Sequence, residues 1–189
     1  LSPEVRELLG VEDEALTPNE VVNALIKARV DLLWNGGIGT YVKASEETHA
    51  EVGDRANDAV RADANELGCH VVGEGGNLGF TQRGRIEYAL GGGRIYMDAI
   101  DNSAGVDCSD HEVNIKILLD VIVENGDMTV KQRNELLAQM TEEVGQLVLR
   151  DNYQQTQAID LAVDLAPLMV DVHARYIHAL EQSGRLNRE

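Results

Sequence analysis

The 189-residue chain carries 16 Lys and Arg against 33 Asp and Glu, a formal net charge of -17, which repels nucleic-acid phosphates and anionic membrane surfaces rather than steering toward them. A 43% hydrophobic share is enough for a self-sufficient core, and with one Trp, one Phe and five Tyr that core is mainly aliphatic, without large aromatic platforms for bases. Cys69 and Cys108 form no C-x-x-C pair, so a cytoplasmic location is expected and neither a disulfide nor a zinc cluster is.

No apolar run approaches the roughly 20 residues of a spanning helix, and the N-terminus lacks a signal pattern. Leu1 stands where Met would begin a complete chain, so a piece of a longer polypeptide is expected.

In chain order, Thr17 as N-cap, Pro18 at the first helical position and Glu20 closing a capping box predict a helix over 18–28. "RVDLLWNGG" reads as a short parallel strand covered on both faces and ending at Asn35-Gly36. Ser45 is expected to cap a polar helix through "EETHAEVGDRANDAVRADANEL", and "CHVVGEGGN" is a second strand running into glycines. Thr81 opens a short helix through "QRGRIEYALGGG", and "RIYMDAI" is a third strand. A connecting stretch, "DNSAGVDCSDHE", leads to helices punctuated by Gly126, Asp151-Asn152 and Pro167.

The predicted fold class is α/β: a partial Rossmann-like parallel sheet with flanking helices over 1–125, then a C-terminal helical segment over 126–189. In "LAPLMVDVHARYIHAL" apolar residues keep one broad stripe, which fits intramolecular packing or, as the alternative, an assembly surface.

The glycine loops depart from the known phosphate-binding patterns. A dinucleotide fingerprint built on Gly37 and Gly39 needs glycine where Val42 stands, and one built on Gly73 and Gly75 needs it where Leu78 stands. A P-loop is excluded by the absence of Gly-Lys-Ser or Gly-Lys-Thr. Three loops nevertheless follow predicted strands: Asn35-Gly36-Gly37, Gly75-Gly76-Asn77 and Asn102-Ser103-Ala104-Gly105. The carboxyl edge of an open parallel sheet is where ligands bind, and Asn amides offer the donor and acceptor that ribose hydroxyls and carboxamides need. Each Asn alone is also an ordinary turn residue.

"SDHE", Ser109–Glu112, has the form of a capping box, leaving Ser109 free to cap a helix while donating to a bound carboxylate at the helix N-terminus. Asp110, His111 and Glu112 point in different directions around one turn, so no metal site is expected. A free-standing α/β module binding another small ligand through the same loops is the alternative to an enzyme.

"DLLWNGGIGTYVKA", "NDAVR", "VVGEGGNLGFTQRGRIEYALGGGRIYMDAIDNSAGVDCSDHEVNIKILL" and "VLRDNY" resemble the large bacterial NAD-specific glutamate dehydrogenases along essentially the whole chain. In glutamate dehydrogenases an E-G-A-N stretch and an N-A-G-G-V-x-x-S stretch belong to the NAD-binding domain, and "EGGN" and "NSAGVDCS" are similar to these. The resemblance implies NAD as cofactor and L-glutamate and 2-oxoglutarate as substrate and product, in a full-length enzyme that is a homo-oligomer. It puts Gly36, Gly37, Gly75, Gly76, Asn77 and Asn102 at the cofactor, Asn77 near the nicotinamide ribose and Asn102 near the carboxamide. It puts Asn102 at the substrate's amino-acid head and Ser109 at its side-chain carboxylate. Gly76 replaces the family's Ala, and Ser103-Ala104 its Ala-Gly, changes expected to disturb the loop paths little. The catalytic Lys and Asp are expected upstream of Leu1, so no catalytic residue is assigned here, and the chain alone is expected to be inactive.

Overall fold

A computed structural model describes residues 1–188, and its first elements follow from capping chemistry. Ser2 caps α1 (Pro3–Leu9), which Gly10 ends in the left-handed conformation at φ 67°. α2 (Pro18–Lys27) has the expected reciprocal box: the Thr17 side chain accepts from the Glu20 N–H while the Glu20 carboxylate accepts from the Thr17 N–H at 2.7 Å. Thr81 likewise caps α4 (Gln82–Leu90).

Two compact units divide the chain, Leu1–Asp110 and the residues from His111 onward. In the first, β1 (Leu32–Asn35), β4 (Val71–Glu74) and β5 (Arg94–Ile95) form a parallel sheet in the order β1-β4-β5, with Trp34 opposite Gly73 and Asn35 opposite Glu74. Between β1 and β4 in sequence, β2 (Val42–Lys43) and β3 (Ala62–Asp63) make a separate parallel pair. Ile26, Val42, Ala62, Ala64, Cys69, Val72, Phe80 and Tyr88 form the core. The expectation that β1 is covered on both faces is corrected: Leu33 packs on this core, while Leu32 and Trp34, on the opposite face, are 54% and 60% exposed.

Charged groups are buried beside this core, Glu74 most completely among the described residues. Glu74 ends β4 with no exposed surface, and Arg85 of α4 binds both its carboxylate oxygens, Nε to Oε1 at 2.6 Å and Nη2 to Oε2 at 2.9 Å. The Phe80 N–H donates to the same carboxylate, so the loop after β4 closes on the residue that begins it. Glu74 holds the Arg85 guanidinium above its ordinary pKa, against the opposing effect of burial.

Several predicted elements are corrected. Ser45 caps no helix; its N–H and hydroxyl bind the Glu87 carboxylate. Thr48 caps a single turn, α3 (His49–Val52), which Gly53 ends at φ 77°. The next residues wrap around the fully buried Arg61 side chain, which donates to the carbonyls of Thr40 and Asp54 and to the Asp58 carboxylate. A continuous helix would withhold the Asp54 carbonyl. The third strand stops at Ile95, and Asp98–Asp101 is the short helix α5. The stretch expected to connect it to the later helices is itself helical, inside α6 (Ser103–Glu124).

In the second unit, α6 continues to Glu124 and Gly126 turns the chain at φ 83°. Thr129 then caps α7 (Val130–Gln182), one helix of 53 residues that neither Asp151-Asn152 nor Pro167 breaks. Asp120 pairs with Arg133 at 2.8 Å and His111 approaches Asp151 at 3.9 Å, so the two helices run antiparallel over this length. The expectation that the late apolar stripe packs within the chain is also corrected, because Leu165, Leu168, Val170, Val172 and Tyr176 are exposed. Among the described residues, no helix is long and apolar enough to cross a membrane.

Replacing Arg85 by Met would leave the Glu74 charge buried and unpaired, and urea denaturation should then show a loss of about 3–5 kcal/mol. In the capping boxes, hydrogen bonds from Thr17 and Thr48 hold the Glu20 and Glu51 carboxyls below their ordinary 4.5. Their contribution is therefore present above about pH 4.5 and is lost as pH falls through the lowered folded values. The acid side of a stability–pH curve should flatten in the Glu20→Gln, Glu51→Gln double variant; a curve superimposable on wild type would refute this.

Candidate functional site

Because β1 and β4 are parallel neighbours, their C-terminal loops emerge at one edge of the sheet. The Gly76 N–H donates to the Asn35 carbonyl at 2.9 Å, which stitches the two loops together, while the Gly37 N–H donates to Asn35 Oδ1 at 3.3 Å within the first.

The four glycines assigned to this edge divide into two kinds. A Cβ on Gly75 would lie 2.4 Å from the Trp34 indole, and one on Gly76 would lie 2.2 Å from the Gly37 carbonyl oxygen. These two are required by packing. The expectation that glycine rather than alanine at 76 matters little to the loop paths is corrected: the loop after β1 sits closer to the loop after β4 than a methyl group would allow. Gly36 and Gly37 are exposed, neither has a positive φ, and a Cβ there would meet its nearest neighbour only at 3.6 or 3.5 Å. Neither packing nor conformation demands glycine there.

Asn77 and Asn102, 25 residues apart, meet: Asn102 Nδ2 donates to Asn77 Oδ1 at 2.7 Å. The bond uses the carbonyl of one amide and the nitrogen of the other. A donor on the Asn77 amide nitrogen and an acceptor on the Asn102 carbonyl oxygen remain outside this bond.

The surroundings of Asn102 and Ser109 differ from the sequence reading. Asn102 follows the helix α5 rather than a strand, and Ser103-Ala104-Gly105 begin α6 instead of forming a loop. Ser109 lies inside α6 and donates to the Gly105 carbonyl at 3.1 Å, one turn back, so it is not an N-cap and has no helix terminus beside it. The "SDHE" pattern satisfies the spacing of a capping box within a helix that had already begun.

Sequence reasoning passed over α5. Asp101 Oδ2 accepts the Glu74 N–H at 2.8 Å, and Asp98 Oδ2 accepts the Leu78 N–H at 2.7 Å while its Oδ1 lies 3.2 Å from Arg85 Nη2. The signal available was a pair of aspartates three apart, the spacing that puts side chains on one helix face. Leu78, in the position where a fingerprint has glycine, has φ 61°.

A family described as bacterial NAD-glutamate dehydrogenase, catalytic domain, matches residues 1–162. The NAD-specific glutamate dehydrogenase of Halomonas elongata is 58% identical over 189 residues, that of Pseudomonas aeruginosa 56% over 188, and that of Mycobacterium tuberculosis 50% over 195. All of this chain is covered in each comparison, but it spans only 12% of the length of each relative.

The division among the glycines predicts unequal tolerance of a methyl group. Gly76→Ala should lower the thermal midpoint by several degrees, as overpacking costs about 1–3 kcal/mol, whereas Gly37→Ala should melt within about a degree of the parent chain. Equal midpoints for the two variants would contradict the packing argument.

Proposed function

The chain belongs to the bacterial NAD-glutamate dehydrogenase family, and from that premise we propose that it is the part of such an enzyme that positions NAD and L-glutamate for oxidative deamination to 2-oxoglutarate and ammonia. The observation that carries this reading is the Asn77–Asn102 hydrogen bond beside a pair of glycines that the fold itself does not require.

The exposed backbone of Gly36 and Gly37 fits close approach by a cofactor ribose, and Gly75 and Gly76 keep the two loops near enough to face it together. The outward donor of Asn77 and acceptor of Asn102 fit the carboxamide of a nicotinamide. When bound, NAD supplies the hydride acceptor. Asn102 also serves the amino-acid head of the substrate, and the Ser109 hydroxyl turns from the Gly105 carbonyl to donate to its side-chain carboxylate. Holding reactants in attack geometry is worth about 7–11 kcal/mol in favourable cases, and that is the contribution assigned to this chain.

Proton transfer is assigned to residues outside it. Lys27, Lys43, Lys116 and Lys131 each pair with a carboxylate, of Glu66, Asp63, Glu112 and Glu135 respectively. The sheet reading is that of a partial Rossmann-like unit: three parallel strands lie in chain order, and Leu32 and Trp34 leave an apolar face for further layers of a longer polypeptide. A homo-oligomeric enzyme in the cytoplasm is the setting proposed; both cysteines are free thiols.

In the full-length enzyme, Asn102→Ala and Gly37→Ala should each raise the KM for NAD, Asn102→Ala by about tenfold for a lost hydrogen-bond partner. Ser109→Ala should raise the KM for glutamate and leave that for NAD unchanged. An unaltered NAD KM in the first two variants would sink the cofactor assignment, and an unaltered glutamate KM in the third would remove Ser109.

A further inference from the structure

We propose that Asp98 and Asp101 of α5 are positioning residues that hold the Glu74–Leu78 loop, and through it Asn77, in the shape that receives the cofactor. This inference rests on the assignment of Asn77 and Asn102 to the cofactor site and extends it to groups that touch neither.

The loop is tied at both ends to α5. The backbone N–H of Glu74, where β4 stops, donates to Asp101 at 2.8 Å, and that of Leu78, just past Asn77, donates to Asp98 at 2.7 Å. Asp98 is itself fixed by Arg85 at 3.2 Å, which also binds Glu74 through Nε and Nη2 and Gln82 through Nη1. Asn77 therefore sits on a short span anchored to one rigid turn. Asn102 follows that turn directly, and its N–H donates to the Asp98 carbonyl at 2.8 Å. A single element thus sets both amides of the donor–acceptor pair, and the 2.7 Å bond between them is the result.

Leu78 adds a separate observation. Its φ of 61° is a conformation that an L residue adopts only when its neighbours impose it. Its side chain is 65% exposed, so core packing does not impose it. The Asp98 carboxylate holds its N–H on one side, and on the other the Gly79 carbonyl accepts from the Tyr41 and Val42 N–H groups.

The test uses the full-length enzyme with Asp98→Ala, Asp98→Asn and Asp101→Ala, alongside Asn102→Ala. The expected result is an NAD KM raised about tenfold in both alanine variants, the scale of one lost charge-assisted hydrogen bond, with kcat within about threefold of wild type. Asp98→Asn keeps an acceptor oxygen for the Leu78 N–H and should fall between Asp98→Ala and wild type. Residues that only support the fold would lower the active fraction, and hence kcat, without moving KM. If the Asp98 and Asp101 variants keep the wild-type NAD KM while Asn102→Ala raises it, the positioning role is overturned and the site assignment stands. If Asn102→Ala also leaves that KM unchanged, the site assignment fails and takes the inference with it. Should Asp98→Ala not fold, Asp98→Asn decides alone: an NAD KM equal to wild type overturns the proposal.

Discussion

A carboxylate with no access to water is the constraint around which the first unit is organised. Taking an isolated carboxylate out of water is costly enough to neutralise it or unfold its surroundings, so Glu74 requires a cation, and Arg85 supplies one in the two-point geometry that suits a guanidinium. Satisfying that demand fixes how α4 sits against the end of β4. Because Arg85 also reaches Asp98, it places α5, and α5 in turn holds the loop that follows Glu74. The Phe80 N–H on the Glu74 carboxylate completes the circuit, so that the residues from 74 to 80 leave the sheet and return to the group they left. A buried pair of this kind is weak evidence for stability, since an apolar replacement often does as well. Its value here is in direction: few arrangements satisfy a buried carboxylate, a guanidinium and two further aspartates at once.

The parts of this arrangement that were legible in the sequence are those governed by local chemistry. The caps at Thr17 and Thr81, the strand endings at Asn35 and Glu74 and the turn at Gly126 depend on residues within one turn of each other, and the pattern states them. What escaped was long range. Arg61 reads as a solvated charge in a polar helix, yet it is buried and the segment is folded around it; nothing in the order of residues announces a guanidinium seeking carbonyls 7 and 21 positions back. The local signal that did exist, Thr48 with Glu51, lay three residues beyond Ser45 and was the true box. At Pro167 the opposite error occurred. A breaker was read as a break, although in a helix of 53 residues the loss of one backbone bond weighs little against a cooperative run on either side.

For the site, the sequence supplied the residue types and the family resemblance supplied the roles, but neither supplied the contacts. That Asn77 and Asn102 bond to each other could not be read from two turn-like asparagines 25 residues apart. Ser109 is the instructive contrast. Its spacing to Glu112 satisfies the capping rule, but α6 begins at Ser103, because Asn102 ends α5 with its N–H turned back to Asp98 and the chain enters the next helix at once. A capping rule states which residues can start a helix; it does not state whether one is already under way. The chemistry attributed to Ser109 must therefore rest on its hydroxyl alone, without help from a helix terminus.

Leu78 and Gly76 together explain how two glycine-rich loops can lie at this edge without the dinucleotide fingerprint. In that fingerprint glycine relieves the turn, admits the phosphate and lets the helix pack, and relaxed backbone serves all three. Here the position that would carry the last glycine holds a leucine forced into the left-handed region, at a cost of about 1–2 kcal/mol. Glycine stands at 76, where its backbone meets that of Gly37, and at 36 and 37, where a Cβ would find room. A relaxed turn at 78 would be easier to form but freer to wander. A leucine there, held by a carboxylate on its N–H, excludes much of that freedom before any ligand arrives, so the ordering that a flexible loop would undergo on binding has already taken place in folding. The strain is therefore better understood as preorganisation than as a defect, and it sits one residue from the amide that the proposed mechanism needs held still.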